Sequence, residues 1–245
     1  MKQVSQNNID RTVICQAFLD AIGGGNYLEI GVFVGNSFIP MRAAAKWGVD
    51  PDYTLTRRRV LKYQVFAALR LKEERLFRMT SDEFFRQQSP MLAKRGVDVA
   101  FIDGLHTYEQ ALRDVLNTLK YLRPGGVIVM HDCNPDSEAH AMPLETIEAH
   151  GKEGVPGWDN TWYGDVWKTI VHLRSLHPDL ETVVLDCDAG VGVVRRKPAQ
   201  KMLRFSANQI RELHYADLES NRRELLGLKP AAHLWEMVNN CQHQG

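Results

Sequence analysis

Four side chains that can bind a metal ion or move a proton follow two apolar runs of the sequence. Asp103 and His106 come after the first run, and His131 and Asp132 come after the second. Two carboxylates and an imidazole can hold a divalent ion together with water and substrate oxygens. An imidazole can also accept a hydroxyl proton near neutral pH, so His106 is the first candidate for a general base and His131 is its rival. The pattern therefore predicts Asp103, His131 and Asp132 as metal ligands, and Asp103, His106 and His131 as catalytic residues.

A glycine turn follows an apolar stretch near the start of the chain. Residues 27–37 read Tyr-Leu-Glu-Ile-Gly-Val-Phe-Val-Gly-Asn-Ser, with the branched apolar residues of a central parallel strand. Gly31 and Gly35 lack a Cβ atom and so allow the backbone to approach a ligand. Ser37 can cap a helix that continues through residues 41–45. A strand, a glycine turn and a helix start form the usual nucleotide cradle of a doubly wound sheet, here with Glu29 at the strand end.

Further polar residues follow two more predicted strands. Asp50 ends the second strand and lies about twenty residues after Gly31, the spacing at which a strand-end acid meets ribose hydroxyls. Ser81 and Asp82 follow the third strand at a helix start, where Asp82 alternatively serves as the helix N-cap. In open α/β sheets, ligands lie beyond the carboxyl ends of the strands, so we expect these residues at the same edge as Asp103.

The remaining elements alternate between strand and helix. Residues 97–132 predict a strand, a helix with apolar residues at 3.6-residue spacing, and a second strand after Pro124. Residues 180–187 and 190–195 predict two further strands. A leading amphipathic helix is predicted over residues 9–22, and two trailing helices over residues 206–241.

The motif E-x-G-x-x-x-G at Glu29 resembles motif I of the class I S-adenosylmethionine-dependent methyltransferases. Phe33 departs from the commoner E/D-x-G-x-G-x-G form, so only its backbone is expected to face the cofactor. The resemblance covers roughly residues 26–196. It implies a doubly wound α/β fold with a seven-stranded, mostly parallel sheet whose last strand is antiparallel, flanked by helical appendages at 1–25 and 198–245 around a domain at 26–197. It also implies that S-adenosylmethionine binds to residues at the strand ends: Glu29, Gly31, Phe33, Gly35, Ser37, Asp50, Ser81, Asp82 and Asp103.

The pairing of I-D-G-x-H-x-Y with P-G-G-x-x-x-x-H-D resembles a branch that includes sugar O-methyltransferases. In that branch the D-G-x-H histidine, here His106, is taken as the base, and acids hold Mg²⁺. His131 stands where relatives often carry a second acid, and a nitrogen ligand favours a transition metal. The resemblance implies a small-molecule acceptor, such as a sugar or glycan, and leaves the oligomeric state open.

Several alternatives remain open at this point. Asp103 alternatively holds only the cofactor's amino group, and His131 alternatively only orients Asp132. The aromatic residues Trp158, Trp162 and Tyr163 form either a stacking wall for a sugar or the core anchors of a lid. The acceptor is alternatively a catechol or an amine. The chain is alternatively not an enzyme but a non-catalytic binding protein of the same fold.

Bulk properties of the 245-residue chain limit the class of protein. Formal net charge is zero, which argues against a general polyanion binder such as a nucleic-acid-binding protein. The polar N-terminus, the lack of a long apolar run and four cysteines without C-x-x-C spacing predict a cytoplasmic protein with reduced thiols, away from membranes. A basic stretch over residues 57–78 predicts a solvated helix face, or alternatively a contact from Arg57, Arg58 and Arg59 to an anionic substrate.

Overall fold

A computed structural model describes residues 9–55, 73–151 and 155–242 of the chain. The strands among these residues are β1 Asn26–Ile30, β2 Ala45–Val49, β3 Glu73–Phe77, β4 Val97–Ile102, β5 Leu122–Met130, β6 Leu180–Asp186, β7 Val191–Arg196 and β8 Leu228–Pro230. The helices among them are α1 Arg11–Ala21, α2 Ser81–Gln87, α3 Ser89–Arg95, α4 Tyr108–Leu119, α5 Leu144–His150, α6 Trp167–Leu176, α7 Ala207–Arg211, α8 Tyr215–Leu226 and α9 His233–Gln242. The strand order is β3-β2-β1-β4-β5-β7-β6-β8.

The described residues form two compact units. The first unit contains residues 11–55, 73–104, 114–129 and 235–242, and the second contains residues 9–10, 105–113, 130–151 and 155–234. In the first unit β1 pairs in parallel with β2 and β4, and β2 pairs in parallel with β3. Strands β1, β2 and β4 are buried along their whole length, as central parallel strands covered on both faces must be.

The second unit is built around an antiparallel hairpin. Strands β6 and β7 pair in register from Leu180 opposite Arg196 to Leu185 opposite Val191, and β8 adds to β6 in parallel. Helix α6 packs against β6 and buries Trp167, Ile170, Val171 and Leu173. Apolar residues at this spacing form one face of the helix, which accounts for the packing.

The predicted mixed α/β fold with a mostly parallel sheet and an antiparallel last strand is confirmed, with eight strands among the described residues instead of seven. The extra strand, β8, has only three residues, too few for a periodic signal. It lies between α8 and α9. The C-terminal stretch contains three helices, α7, α8 and α9, in place of the two predicted trailing helices. The predicted boundaries at residues 25/26 and 197/198 stay a prediction. Residues 57–72 of the basic stretch lie outside the described residues.

The helix predicted after Ser37 is wrong. Turns occupy residues 36–40, and β2 begins at Ala45, within the predicted helix. Pro40 explains the difference, because its ring removes a backbone N–H and disfavours helical backbone at the preceding residue. The predicted leading helix is confirmed as α1. No helix among the described residues is long and apolar enough to cross a membrane.

Glu29 holds the glycine turn from the inside. Its side chain is fully buried and accepts hydrogen bonds from the Tyr27 hydroxyl at 2.5 Å and from the Ser37 hydroxyl at 2.7 Å. Burial raises the pKa of Glu29 to about 8, although the two hydroxyl groups favour the charged form. Near neutral pH the side chain therefore carries a proton, and it ties the end of the turn back to β1.

Gly31 lies where the ends of β1 and β4 meet. A Cβ atom added there would lie 1.8 Å from the backbone oxygen of Asp103, and the backbone has φ of +89°. The N–H of Asp103 donates to the Ile30 carbonyl at 2.8 Å, which fixes the approach from the other side. The glycine is therefore required by the packing of the two strand ends, whatever it offers a ligand.

Replacing Gly31 by alanine should destabilise the protein strongly. Gly23 provides a matched control, because its φ is +83° but nothing lies within 4 Å of an added Cβ. The Gly23→Ala change should cost about 1–2 kcal/mol of backbone strain. The Gly31→Ala change should cost about 1–3 kcal/mol more, since the strand ends must also move apart. Urea denaturation measures both, and equal losses would contradict the packing argument.

The stability of the protein should fall as pH rises from about 4.5 to about 8, because unfolding releases the proton that folded Glu29 holds in this window. The Glu29→Gln variant keeps a neutral polar group and should lose that part of the pH dependence. Thermal unfolding across this pH range measures the effect. Glu138→Gln, at an exposed glutamate, is the control and should keep the wild-type slope. Parallel slopes for Glu29→Gln and the wild type would show that Glu29 is ionised in the fold.

Candidate active site

The glycine turn presents backbone and one aromatic ring to solvent. Phe33 has φ of +47°, a conformation that favours glycine, and its side chain is 67% exposed. Its N–H donates to Asp50 Oδ2 at 2.7 Å, while Asp50 Oδ1 accepts from the N–H of Asp52 at 2.7 Å. A Cβ at Gly35 would lie 2.8 Å from the Leu55 side chain. Asp50, which directly follows β2, thus holds the glycine turn that follows β1.

The other predicted cofactor residues of the first unit differ in exposure. Glu29 and Ser37 are buried and bonded to each other, so they act on the turn from within. Ser81 and Asp82 begin α2, with Ser81 buried and Asp82 exposed. Thr80 is the N-cap of this helix and forms a capping box with Glu83, so the reading of Asp82 as the N-cap is wrong.

His106 is fixed at both ring nitrogens within the second unit. Its Nδ1 lies 2.9 Å from the Trp162 carbonyl oxygen, and its Nε2 lies 3.2 Å from Asp132 Oδ2. A carbonyl oxygen only accepts hydrogen bonds, so Nδ1 carries a proton. Nε2, which faces the Asp132 carboxylate, is therefore the nitrogen that can gain or lose a proton. The pair can store one proton between His106 and Asp132.

His131 shares Asp132 with His106. Its Nδ1 lies 2.8 Å from Asp132 Oδ1, and its Nε2 lies 3.5 Å from Asp188 Oδ1. Both Asp132 and Asp188 have positive φ, at 59° and 47°. Non-glycine residues rarely adopt this backbone, and such strain is concentrated at functional sites.

The three predicted metal ligands lie in different units. Asp103 belongs to the first unit, and His131 and Asp132 belong to the second, where they contact each other. Two carboxylates and an imidazole are a donor set that suits a divalent transition metal, and Mg²⁺ with added water.

Three features around His106 and His131 were not predicted from the sequence. One is the Trp162 carbonyl, which is a backbone group and leaves no mark in residue type. A second is Gly164, where an added Cβ would lie 1.8 Å from the His106 carbonyl oxygen at a φ of +63°. The third is Asp188, whose position in the hairpin between β6 and β7 was the available signal.

The Trp162 side chain is held by a hydrogen bond and also lies next to the His106 ring. The Trp162 indole N–H donates to the Met142 carbonyl at 2.7 Å, and its ring centre lies 5.4 Å from that of His106. The anchor supports the reading of Trp162 as a packing residue, and the proximity supports the reading as a wall for an acceptor. Both readings stay predictions.

Comparisons with known proteins find a methyltransferase domain and a shared fold. Residues 28–133 match the family model of a methyltransferase domain. A crystal structure of an assigned O-methyltransferase from Klebsiella pneumoniae is 13% identical, with a TM-score of 0.51 over 78% of this chain and 82% of that one. An O-methyltransferase from Bacillus cereus in complex with SAH is 17% identical, with a TM-score of 0.48 over 77% of this chain and 82% of that one. No curated protein matches the sequence.

The first of these structures shows a shared fold, and the family model covers β1, the glycine turn, Asp50 and the block from Asp103 to Asp132. The domain match and the confirmed α/β fold together support an S-adenosylmethionine-dependent methyltransferase.

Proposed function

We propose that this methyltransferase acts on a hydroxyl oxygen of a small polar acceptor, and that the acceptor is a sugar or a similar natural product. The observation that carries the proposal is the pairing of His106 with Asp132 beside a tryptophan, since the pair can take a proton from a hydroxyl group. The assigned activity of the Klebsiella protein is in line with oxygen as the methylated atom.

The glycine turn and Asp50 fit the cofactor. S-adenosylmethionine supplies an electrophilic methyl group, which moves by in-line displacement. Asp50 accepts one N–H at each oxygen, and each carboxylate oxygen can accept a further bond, so ribose hydroxyls can still bind there. Gly31 and Phe33 offer backbone at the same turn. The Glu29 carboxyl is fully buried and bonded to Ser37, so we propose that it acts on the cofactor site through the glycine turn.

His106 is the proposed base, because a hydroxyl group is a poor nucleophile while it keeps its proton. The Trp162 carbonyl holds the Nδ1 proton and so directs basicity to Nε2. Asp132 stabilises the imidazolium that forms when Nε2 takes the proton. His131 is the rival base, and its Nδ1 contact with Asp132 supports an orienting role instead.

Asp103, His131 and Asp132 are the proposed ligands of a divalent ion. Two carboxylates and an imidazole suit such an ion, which would lower the cost of forming an alkoxide. Asp103 alternatively holds the amino group of the cofactor, as weighed from the sequence.

Methyl transfer from labelled S-adenosylmethionine to a panel of sugars, catechols and amines tests the acceptor class. Sugars should be methylated on oxygen, with product identified by mass spectrometry, and S-adenosylhomocysteine should bind in calorimetry. Methylation of catechols or amines alone would replace the proposed acceptor. Binding of S-adenosylhomocysteine without turnover on any acceptor would favour the non-catalytic reading.

The His106→Ala variant should lose turnover by about a hundredfold or more, the usual contribution of a positioned general base. Affinity for S-adenosylhomocysteine should hardly change, because the ring acts on the acceptor. The pH–rate profile should lose its acidic limb, since that limb reports the imidazole becoming neutral. The His131→Ala variant is the comparison. If His131→Ala loses turnover and the limb while His106→Ala keeps both, the base is the other histidine.

Removing divalent ions should reduce activity, and adding Mn²⁺ or Mg²⁺ should restore it, because the proposed ion would stabilise the alkoxide that forms on the acceptor. Mn²⁺ should restore more than Mg²⁺, since His131 contributes a nitrogen ligand. The Asp132→Asn variant should respond weakly to either ion. Full activity in excess chelator would assign the two acids to cofactor or acceptor binding.

A further inference from the structure

Residues 159–164, which we call the clasp, are fastened to the segment formed by residues 136–142. The carbonyl oxygen of His140 accepts the N–H groups of Tyr163 and Gly164, at 2.9 and 3.0 Å. The rings of His140 and Tyr163 also contact each other, with their centres 5.0 Å apart. His140 is therefore the residue of that segment through which backbone and side chain both reach the clasp.

The His140 ring joins two carboxylates. Its Nδ1 lies 2.5 Å from Asp136 Oδ1, and its Nε2 lies 3.0 Å from Asp159 Oδ1. An ionised carboxylate only accepts hydrogen bonds, so both ring nitrogens carry protons and the ring is an imidazolium. Burial lowers the pKa of His140, but the bonds to Asp159 and Asp136 outweigh burial and leave the pKa raised. The bond to His140 in turn lowers the pKa of Asp159.

The clasp continues to His106. Trp162 lies inside the clasp, and its carbonyl oxygen accepts a hydrogen bond from the Nδ1–H of His106. The Trp162 indole is bonded to Met142, in the segment that His140 anchors. At the end of the clasp, Gly164 lies so close to the His106 carbonyl that a Cβ atom would not fit. A movement of the clasp would therefore change the orientation of the His106 ring.

We propose that His140 is a positioning residue for the reaction at His106. Its bonds to Asp136 and Asp159 hold the clasp in place, and the clasp holds the His106 ring through the Trp162 carbonyl. The effect on turnover rests on the proposed function of His106, whereas the effect on the clasp does not.

A pH dependence follows from the charge of the ring. Asp136 and Asp159 face the two nitrogens, and Tyr163 packs on the ring as a neutral phenol, its pKa raised by burial and by nearby acids. Because the pKa of folded His140 is raised, the clasp is held below the ordinary histidine pKa and is released as pH rises through the folded value. A neutral ring can donate to one carboxylate and must repel the other. This release adds an alkaline loss of activity to the acidic limb expected from His106.

Two readouts test the role of His140. The first is hydrogen exchange at the Tyr163 and Gly164 amides, which should be faster in His140→Ala and in Asp159→Asn. The second is turnover, which should fall by about tenfold or more in both variants while affinity for S-adenosylhomocysteine is kept, since misplaced catalytic groups lose rate rather than cofactor binding. Asp159 is exposed, so Asp159→Asn keeps the test valid if His140→Ala fails to fold.

A double variant and a rescue separate positioning from general stability. His140→Ala combined with Asp159→Asn should be no slower than the worse single variant, because both remove one link. His140→Arg keeps a charge that can bridge two carboxylates at every working pH, so it should retain turnover and lose the alkaline decline. The matched control, His214→Ala at an exposed histidine, should change neither readout.

The outcomes are distinct. Unchanged exchange at Tyr163 and Gly164 in both single variants would overturn the proposal, and so would unchanged turnover in an enzyme that is active as wild type. If exchange is faster in both variants but the wild-type enzyme methylates no hydroxyl acceptor, the role of His140 in the clasp is supported and the proposed function is rejected.

Discussion

The approach of two strand ends at Gly31 is the constraint on which the site depends. No Cβ atom fits between the end of β1 and the Asp103 carbonyl, so the two strands can be this close only with glycine at that point. The approach fixes where Asp103 leaves β4 and where the glycine turn leaves β1. The buried Glu29 side chain then accepts a hydrogen bond from Ser37 at the end of the turn, and Asp50 accepts one from the Phe33 amide. Packing and hydrogen bonds thus define the shape of the glycine turn, which is the proposed cofactor site.

Histidines of the second unit are oriented by a common principle. His106 and His140 each have fixed oxygen atoms near both ring nitrogens, so neither ring can rotate without losing a contact. The oxygen atoms belong to different groups, and the chemistry differs with them. A carbonyl on one side of His106 leaves one nitrogen able to exchange a proton, whereas two carboxylates around His140 favour the cation. The same side chain can therefore act as a proton acceptor in one place and as a structural tie in another.

Much of the fold was predictable because strand ends concentrate both patterns and chemistry. Branched apolar runs identified β1, β4 and β5, and the polar residues after them included Asp103, His106 and Asp132. Prediction failed where the signal was short or carried by backbone. Pro40 turned an expected helix into turns, and β8 was too short to show a period. The Trp162 carbonyl was invisible because every residue has one, and only the tertiary fold decides which carbonyl meets His106.

The first unit is discontinuous along the chain, because most of α9, from residue 235 onward, belongs to it together with the residues around β1 to β4. A ribosome releases these parts in order, with nearly all of the second unit synthesised between them. The growing chain therefore lacks most of α9, whose Met237 and Val238 are buried in the folded protein, for as long as the second unit takes to be made. Protection from aggregation during synthesis must come from the order of folding or from chaperones, and the late helix completes the unit that carries the glycine turn.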